Sequence, residues 1–223
     1  FWDQKELEKE ARRCIDMGIK GVVLPDKPER LVAGYVRDDG KVNPFWEGVF
    51  EMANATGMPL NFHINSSLDA GSAIWEGLRF TQRLPINAML HTLGVCATMS
   101  NFMMSGILDK YEELKIGLIE SGIGWVPFVL EMMEHQIDEM RTMQDHGLKK
   151  RPKEYFARNF WVSFWFENYA PQHMLEEIGL DRVMFETDFP HPTSLYPGVQ
   201  EKLVEQLGGA AQARVREKPP HGA

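Results

Sequence analysis

Short apolar runs alternate with longer amphipathic stretches along the 223-residue chain, giving five strand–helix units. Leu7, Ala11, Cys14 and Ile15 share one stripe at i, i+4, i+7 and i+8, the spacing of a helix laid on a sheet, and Gly18 closes it. Gly21-Val22-Val23-Leu24 then reads as a strand ending at Pro25-Asp26. A helix carrying Phe45, Val49, Phe50 and Met52 leads to a second strand over 59–65. A long helical region from about 84 to 114 precedes a third strand, 115–121. A helix over about 126–143 and a polar loop precede a fourth, 160–167. Pro171 opens a short helix holding Met174, Leu175 and Ile178, with Gly179 as its C-terminal cap. Arg182-Val183-Met184-Phe185 begins the fifth strand, and a last helix with Val199, Leu203 and Leu207 ends at Gly208-Gly209.

Strands separated by helices of this length imply parallel βαβ units, and apolar strands rich in Val, Ile, Leu and Phe imply burial on both faces. An eightfold barrel takes about 250 residues, so five long units predict an α/β (β/α)8 barrel of the TIM type that is incomplete. The barrel domain is expected over 1–209, with 210–223 a disordered or frayed tail. Two consequences are expected: an open edge at 21–24 that recruits another copy, and an unfilled interior wall lined by Leu24, Leu60 and Phe62.

A net charge of -8 and a pI near 5.4 argue against nucleic-acid or membrane-surface partners. The one basic cluster, Lys149-Lys150-Arg151 with Lys153, reads as a solvated loop. No apolar run is long enough to span a bilayer. Cys14 and Cys96 are far apart with no metal or redox spacing, so a reducing cytoplasmic setting is expected.

In a parallel barrel the working residues sit at the C-terminal ends of strands. Those ends here hold Asp26; His63 with Asn65; Glu120 with Ser121; Glu167; and Asp188 with His191. Gathered at one rim, imidazoles and carboxylates suit a divalent metal: Zn²⁺ first, with Mn²⁺ or Fe²⁺ as alternatives. The blander reading makes Asp188 an Asx-type turn residue and lets Glu120 and Glu167 pair with arginines across the rim. Asp26, beside Pro25, reads as a turn residue. His91, His135, His146 and His173 fall on helices or loops and are assigned no chemistry. Trp125, Trp165, Phe166 and Phe189 would suit a flat, apolar or aromatic carboxylate substrate, or only pack.

Leu60-Asn61-Phe62-His63, the run from Glu120 through Ser121-Gly122-Ile123-Gly124-Trp125 to Phe128, and the stretch Arg182 to Pro192 together resemble the amidohydrolase superfamily. The likeness is to the branch containing aminocarboxymuconate-semialdehyde decarboxylase and its benzoate-decarboxylase and hydratase relatives. It implies a distorted barrel with a metal at its C-terminal rim, His63 as the fifth-strand ligand, and Asp188 as an eighth-strand ligand that also handles a proton. Two departures stand out. The His-x-His pair of the family's first strand occurs nowhere in this sequence, which matches strands four to eight being present without one to three. Ser121 stands where the decarboxylases carry a His, which weighs against decarboxylation.

The leading expectation is therefore a metal-dependent hydrolase in which metal-bound water attacks a small-molecule substrate. Asp188 would be ligand and base, His63 a ligand, and Glu120 and Ser121 catalytic, with Glu167, His191 and Trp165 nearer the substrate or behind the first ligands. The alternative is a non-oxidative decarboxylase or hydratase of an aromatic or muconate-type carboxylate. A rival of another class is a non-catalytic truncated barrel. With two ligands where catalytic zinc usually takes three, this length of chain is expected to hold metal weakly and to be inactive by itself.

Overall fold

The computed structural model describes residues 3–64, 74–140 and 147–217, with side chains through 209. The expectations for Asn65, for His146 and for the end of the helix over about 126–143 lie outside the described residues. Helix α1 (Gln4–Asp16) starts at Asp3, whose carboxylate accepts from the Lys5 and Glu6 amides, and leads to strand β1 (Val22–Val23). Helix α2 (Pro44–Thr56) is capped by Asn43 and closed by Gly57 at φ 71°. Strand β2 (Leu60–His63) follows, then helices α3 (Phe80–Met104) and α4 (Ile107–Lys110) and strand β3 (Ile116–Ile119). Helix α5 (Val126–Met140), helix α6 (Pro152–Asn159), strand β4 (Phe160–Phe164), and helices α7 (Tyr169–His173) and α8 (Leu175–Ile178) come next. Strand β5 (Val183–Phe185) and helix α9 (Val199–Glu217) complete the order.

The five strands form one parallel sheet in chain order, β1 to β5, the open βα arrangement expected of part of a barrel. Among the described residues no helix is long and apolar enough to cross a membrane. Register divides the sheet into two faces. Leu60 pairs with Ile116 and Ile116 with Phe160; two residues on, Phe62 pairs with Leu118 and Leu118 with Val162. These six are 0–1% exposed and pack against the helices. The opposite face carries Val23, Asn61, Gly117 and Trp161, then His63 and Ile119, because successive side chains alternate. There Val23 is 68% exposed. The interior wall expected from Leu24, Leu60 and Phe62 is thus corrected: Leu60 and Phe62 face the helices, and the open wall runs through Val23 and Asn61.

Other differences have local causes. The helix expected over 84–114 begins earlier, at Phe80, and breaks at Gly106, which adopts φ 74° before α4. Helix α6 lies in the expected polar loop. Pro152 occupies its first turn, and the Arg151 amide donates to the Glu154 carboxylate at 2.9 Å, while Tyr155, Phe156 and Asn159 are buried. The basic cluster is not free in solvent: Arg151 pairs with Glu134 and, at 2.8 Å, with Asp138, while Lys149 reaches Glu112. Helix α9 kinks at Gly208 (φ 61°, ψ 172°) and runs on to Glu217 instead of ending at 208–209.

The exposed face has its own constraint. A Cβ on Gly117 would lie 2.2 Å from Asn61 Oδ1, and one on Gly21 2.7 Å from Asn61 Nδ2, so the Asn61 amide occupies the space two glycines leave. Gly117→Ala is expected to cost about 1–3 kcal/mol, the usual range for overpacking. In an Asn61→Ala background the same change should cost measurably less, and a urea-denaturation cycle on the four proteins reads that coupling.

Candidate active site

Because neighbouring parallel strands end together, the register that pairs His63 with Ile119 also fixes where their side chains emerge. His63 is the last residue of β2, Glu120 follows the last residue of β3, and Asp188 lies three beyond β5. Glu120 (φ 58°) and Asp188 (φ 57°) are the positive-φ non-glycine residues among those described. A left-handed backbone at an L-residue costs about 1–2 kcal/mol and concentrates at functional sites. Both carboxylates are mostly sheltered, with side chains 14% exposed.

His63 Nε2 lies 2.8 Å from Glu120 Oε2, and Nδ1 lies 2.8 Å from the Ile64 carbonyl. A carbonyl only accepts, so Nδ1 carries the hydrogen and donates it. At 2.8 Å, Nε2 and Glu120 Oε2 need a proton or a cation between them. Burial raises the Glu120 pKa, His63 opposes the shift, and Asp188 reinforces it. Anchoring of one imidazole nitrogen by a carbonyl while the other faces the opening is the arrangement of a metal-ligating histidine.

On the far side, His191 Nδ1 lies 3.0 Å from Asp188 Oδ2 and 2.7 Å from Thr193 Oγ1, and Thr193 Oγ1 donates to Asp188 Oδ2 at 3.2 Å. The donor set suits a divalent cation in kind but not in number. Among the described residues no group of three or more His, Cys, Asp or Glu side chains is arranged to hold a metal ion.

Two further groups that sequence reasoning had passed over join the rim, Ser163 and Glu186, and His91 lies near it. The Ser163 hydroxyl, on β4, accepts from the Glu120 amide at 2.9 Å and donates to Glu186 Oε1 at 2.9 Å, tying the left-handed turn at Glu120 to the end of β5. The Glu186 carboxyl is pushed up by burial and by the nearby Glu120 and Asp188 charges, while the Ser163 bond opposes this. His91, on α3, is close enough for its charge to act on Glu120. Glu186 was visible beside Asp188 in sequence. Nothing in the sequence flagged His91, whose position depends on how α3 crosses the rim.

The remaining expected residues sit behind the opening. Ser121 is 2% exposed and its hydroxyl donates to the Leu118 and Gly122 carbonyls, so its side chain stays within the turn. Glu167 accepts from the Ile123 amide at 2.8 Å and the Gly124 amide at 2.9 Å, a clamp on the loop that follows Glu120. A Cβ at Gly122 or Gly124 would come within 3.1 or 3.2 Å of that carboxylate, which explains both glycines of the Glu-Ser-Gly-Ile-Gly run. Trp125 Nε1 bonds back to the Ser121 and Gly122 carbonyls. Trp165 packs edge-on against Phe166, ring centroids 4.6 Å apart, and its carbonyl accepts from Gln206. Asp26 lies in the loop after β1 and lines a cavity with His63.

The Amidohydrolase family profile matches residues 2–218, nearly the whole chain. The chain belongs to the amidohydrolase family. Among curated amidohydrolase relatives, the gamma-resorcylate decarboxylase of Polaromonas sp. JS666 is 27% identical over 198 residues, 84% of this chain and 57% of that protein. The chain therefore spans little more than half the length of such relatives. The crystal structure of an amidohydrolase from Mycobacterium avium subsp. paratuberculosis K-10 aligns with TM-score 0.75 at 21% identity, covering 96% of this chain and 53% of that one. A dihydroxybenzoic acid decarboxylase from Polaromonas sp. JS666, solved with bound manganese and the inhibitor 2-nitroresorcinol, aligns with TM-score 0.68 at 22% identity, covering 96% and 63%. The expected family and barrel-type fold are thereby borne out.

The clamp on this amidohydrolase rim gives a pH prediction. Burial raises the Glu167 pKa, with the two amide bonds opposing. The folded chain then binds that proton more tightly than the unfolded chain. The associated stability is full below the ordinary carboxylate range and lost as pH rises through the raised value. Glu167→Gln should flatten that part of a melting-temperature-against-pH curve. It should also lower stability by about 1–3 kcal/mol, because one backbone amide then faces an NH₂ group.

Proposed function

We propose that this site serves the non-oxidative decarboxylation of a hydroxylated aromatic carboxylate, with His63 and Asp188 contributing to a divalent-metal site that takes Mn²⁺. The observation that carries the reading is the convergence of His63, Glu120, Asp188 and His191 on one opening at the C-terminal ends of parallel strands. Decarboxylases among the relatives, one of them with bound manganese, support it over hydrolysis and over a zinc site. Ser121, buried in its turn, does not replace the histidine of the decarboxylases; His91 and His191 are the imidazoles available near the carboxylates.

A divalent cation, when bound, supplies Lewis-acid polarisation of substrate oxygens and offsets negative charge. The chain's own groups handle the proton. Decarboxylation of a hydroxybenzoate adds one proton to the ring carbon that bears the carboxylate. The carbon–carbon bond then breaks, its electron pair restores the aromatic ring, and CO₂ leaves. Asp188 is the group positioned to hold that proton, oriented by Thr193 at 3.2 Å and by His191 at 3.0 Å. His191, with its side chain 56% exposed, connects Asp188 to solvent protons. Glu120 holds His63 in place from the opposite side.

With two first-rank donors the chain is expected to hold metal weakly and to show no turnover without added metal, so the test uses excess Mn²⁺. CO₂ release from 2,6-dihydroxybenzoate is expected to exceed the uncatalysed rate and to fall by about 100-fold or more in Asp188→Asn, the scale of a lost proton-transfer group. Ester hydrolysis without CO₂ release would return the site to the hydrolase reading. Neither reaction with Mn²⁺ bound would leave the non-catalytic barrel.

A further inference from the structure

We infer that helix α3 is the contact surface of a homodimer, in which two copies of this chain lay their α3 helices antiparallel across a two-fold axis near Leu93 and Ala97. The inference is independent of the decarboxylase reading. Ile86, Met89, Leu93, Ala97, Asn101 and Met104 recur at helical spacing and make one stripe along α3. Met89 is 51% and Leu93 47% exposed, and Ala97 and Asn101 are exposed with them, whereas Val95, Met99, Phe102 and Met103 on the other side are buried in the core. Helix α3 links β2 to β3, inside the sheet order, so strands joining at the β1 or β5 edge would leave this stripe uncovered.

The two halves of the stripe complement each other. Residues 79–85 are exposed throughout, and a helical stretch this short is marginal in water unless something packs on it. Arg79 and Arg83 continue the stripe below Ile86, and among the described residues neither lies within ion-pair distance of a carboxylate. The C-terminal half borders a cavity of about 750 Å³, where Ala97, Asn101 and Met104 face the loop after β1. Its charges are three carboxylates, Asp26, Glu29 and Asp38, against two cations, Lys27 and Arg37, and Arg37 is already held by Asp39 at 2.6 Å. Antiparallel pairing about a two-fold axis brings the arginines of each copy toward the acidic groove of the other, and sets Met89 and Leu93 against its small side chains.

The groove is formed in advance. Val36 and Val42 make an antiparallel bridge and the Arg37 amide donates to the Lys41 carbonyl at 2.8 Å, so the groove's outer wall is a small hairpin. Tyr35 donates its hydroxyl to the Pro25 carbonyl at 2.5 Å, and its ring packs against Trp46, Phe62 and Phe102. Trp46 Nε1 in turn donates to the Ala33 carbonyl at 2.9 Å. A wall held in this way loses little entropy when a second copy docks. Gly94 and Ala97 both line the groove, and small side chains at a crossing let two helix axes approach to about 8 Å, the near end of the usual range.

Sedimentation equilibrium on the full chain tests this association. The parent is expected to be dimeric at about 100 μM, since interfaces of ordinary size bind in the micromolar range or tighter. Leu93→Glu sets a carboxylate close to its own symmetry mate and counts twice in an isologous contact, so it should weaken the dimer by about 100-fold or more. Met89→Glu is a second probe of the same stripe with the same expected direction. Arg79→Gln combined with Arg83→Gln should weaken the dimer by about tenfold and remove most of its salt dependence. Val23→Glu, on the open face of the sheet at the β1 edge, should leave it unchanged. All these positions are exposed, and unfolding curves matching the parent show that the variants fold. A monomeric parent at that concentration, an assembly that persists in folded Leu93→Glu or Met89→Glu, or a dimer lost in Val23→Glu overturns the inference.

Discussion

The register of five parallel strands is the constraint on which the rest of the structure depends. Leu60, Phe62, Ile116, Leu118, Phe160 and Val162 fill the helix-facing layer at 0–1% exposure. A slip of one residue in any strand would drive that strand's apolar side chains to the opposite face. It would also turn His63 into the helices. Burial on one face therefore aims the chemistry on the other, although His63, Glu120 and Asp188 lie far apart along the chain.

At the rim the backbone departs from regular strand geometry where the chemistry lies. Glu120 and Asp188 hold left-handed conformations, each tied down by neighbours: Ser163 takes the Glu120 amide, and Thr193 donates to the Asp188 carboxylate. Glu167, half-buried behind the loop, secures the Ile123 and Gly124 amides and so fixes the exit from Glu120. Three carboxyl groups, Glu120, Glu167 and Glu186, are thus held with raised pKa values, burial being the first cause in each. Glu167 stabilises the loop, whereas Glu120 and Glu186 belong to a hydrogen-bonded cluster that reaches His63.

The division of labour between the two sides of the rim is chemical. His63 with Glu120 places an imidazole and a sheltered carboxyl together; Asp188 with His191 places a carboxylate next to an exposed imidazole. The loop after β1 borders His63 with apolar side chains and charges of both signs instead.

The sequence by itself determined the five strands, the parallel class, the family likeness, and His63 and Asp188 as rim residues. Each of these is carried by local pattern: apolar runs, turn residues after them, and short motifs. Tertiary structure decided what local pattern leaves open. Strand β2 alternates as Leu60-Asn61-Phe62-His63, which marks two faces without saying which of them the helices cover. Ser121 and Glu167 looked alike as polar strand-end residues until packing turned one hydroxyl to backbone carbonyls and spent one carboxylate on backbone amides. Helix α6 was hidden by its short length and basic approach, and its order comes from contacts to α5 and to the chain around Glu112 and Leu114. His91 reaches the rim only through the path of α3, because proximity between residues distant in sequence is a property of packing, which no local spacing encodes.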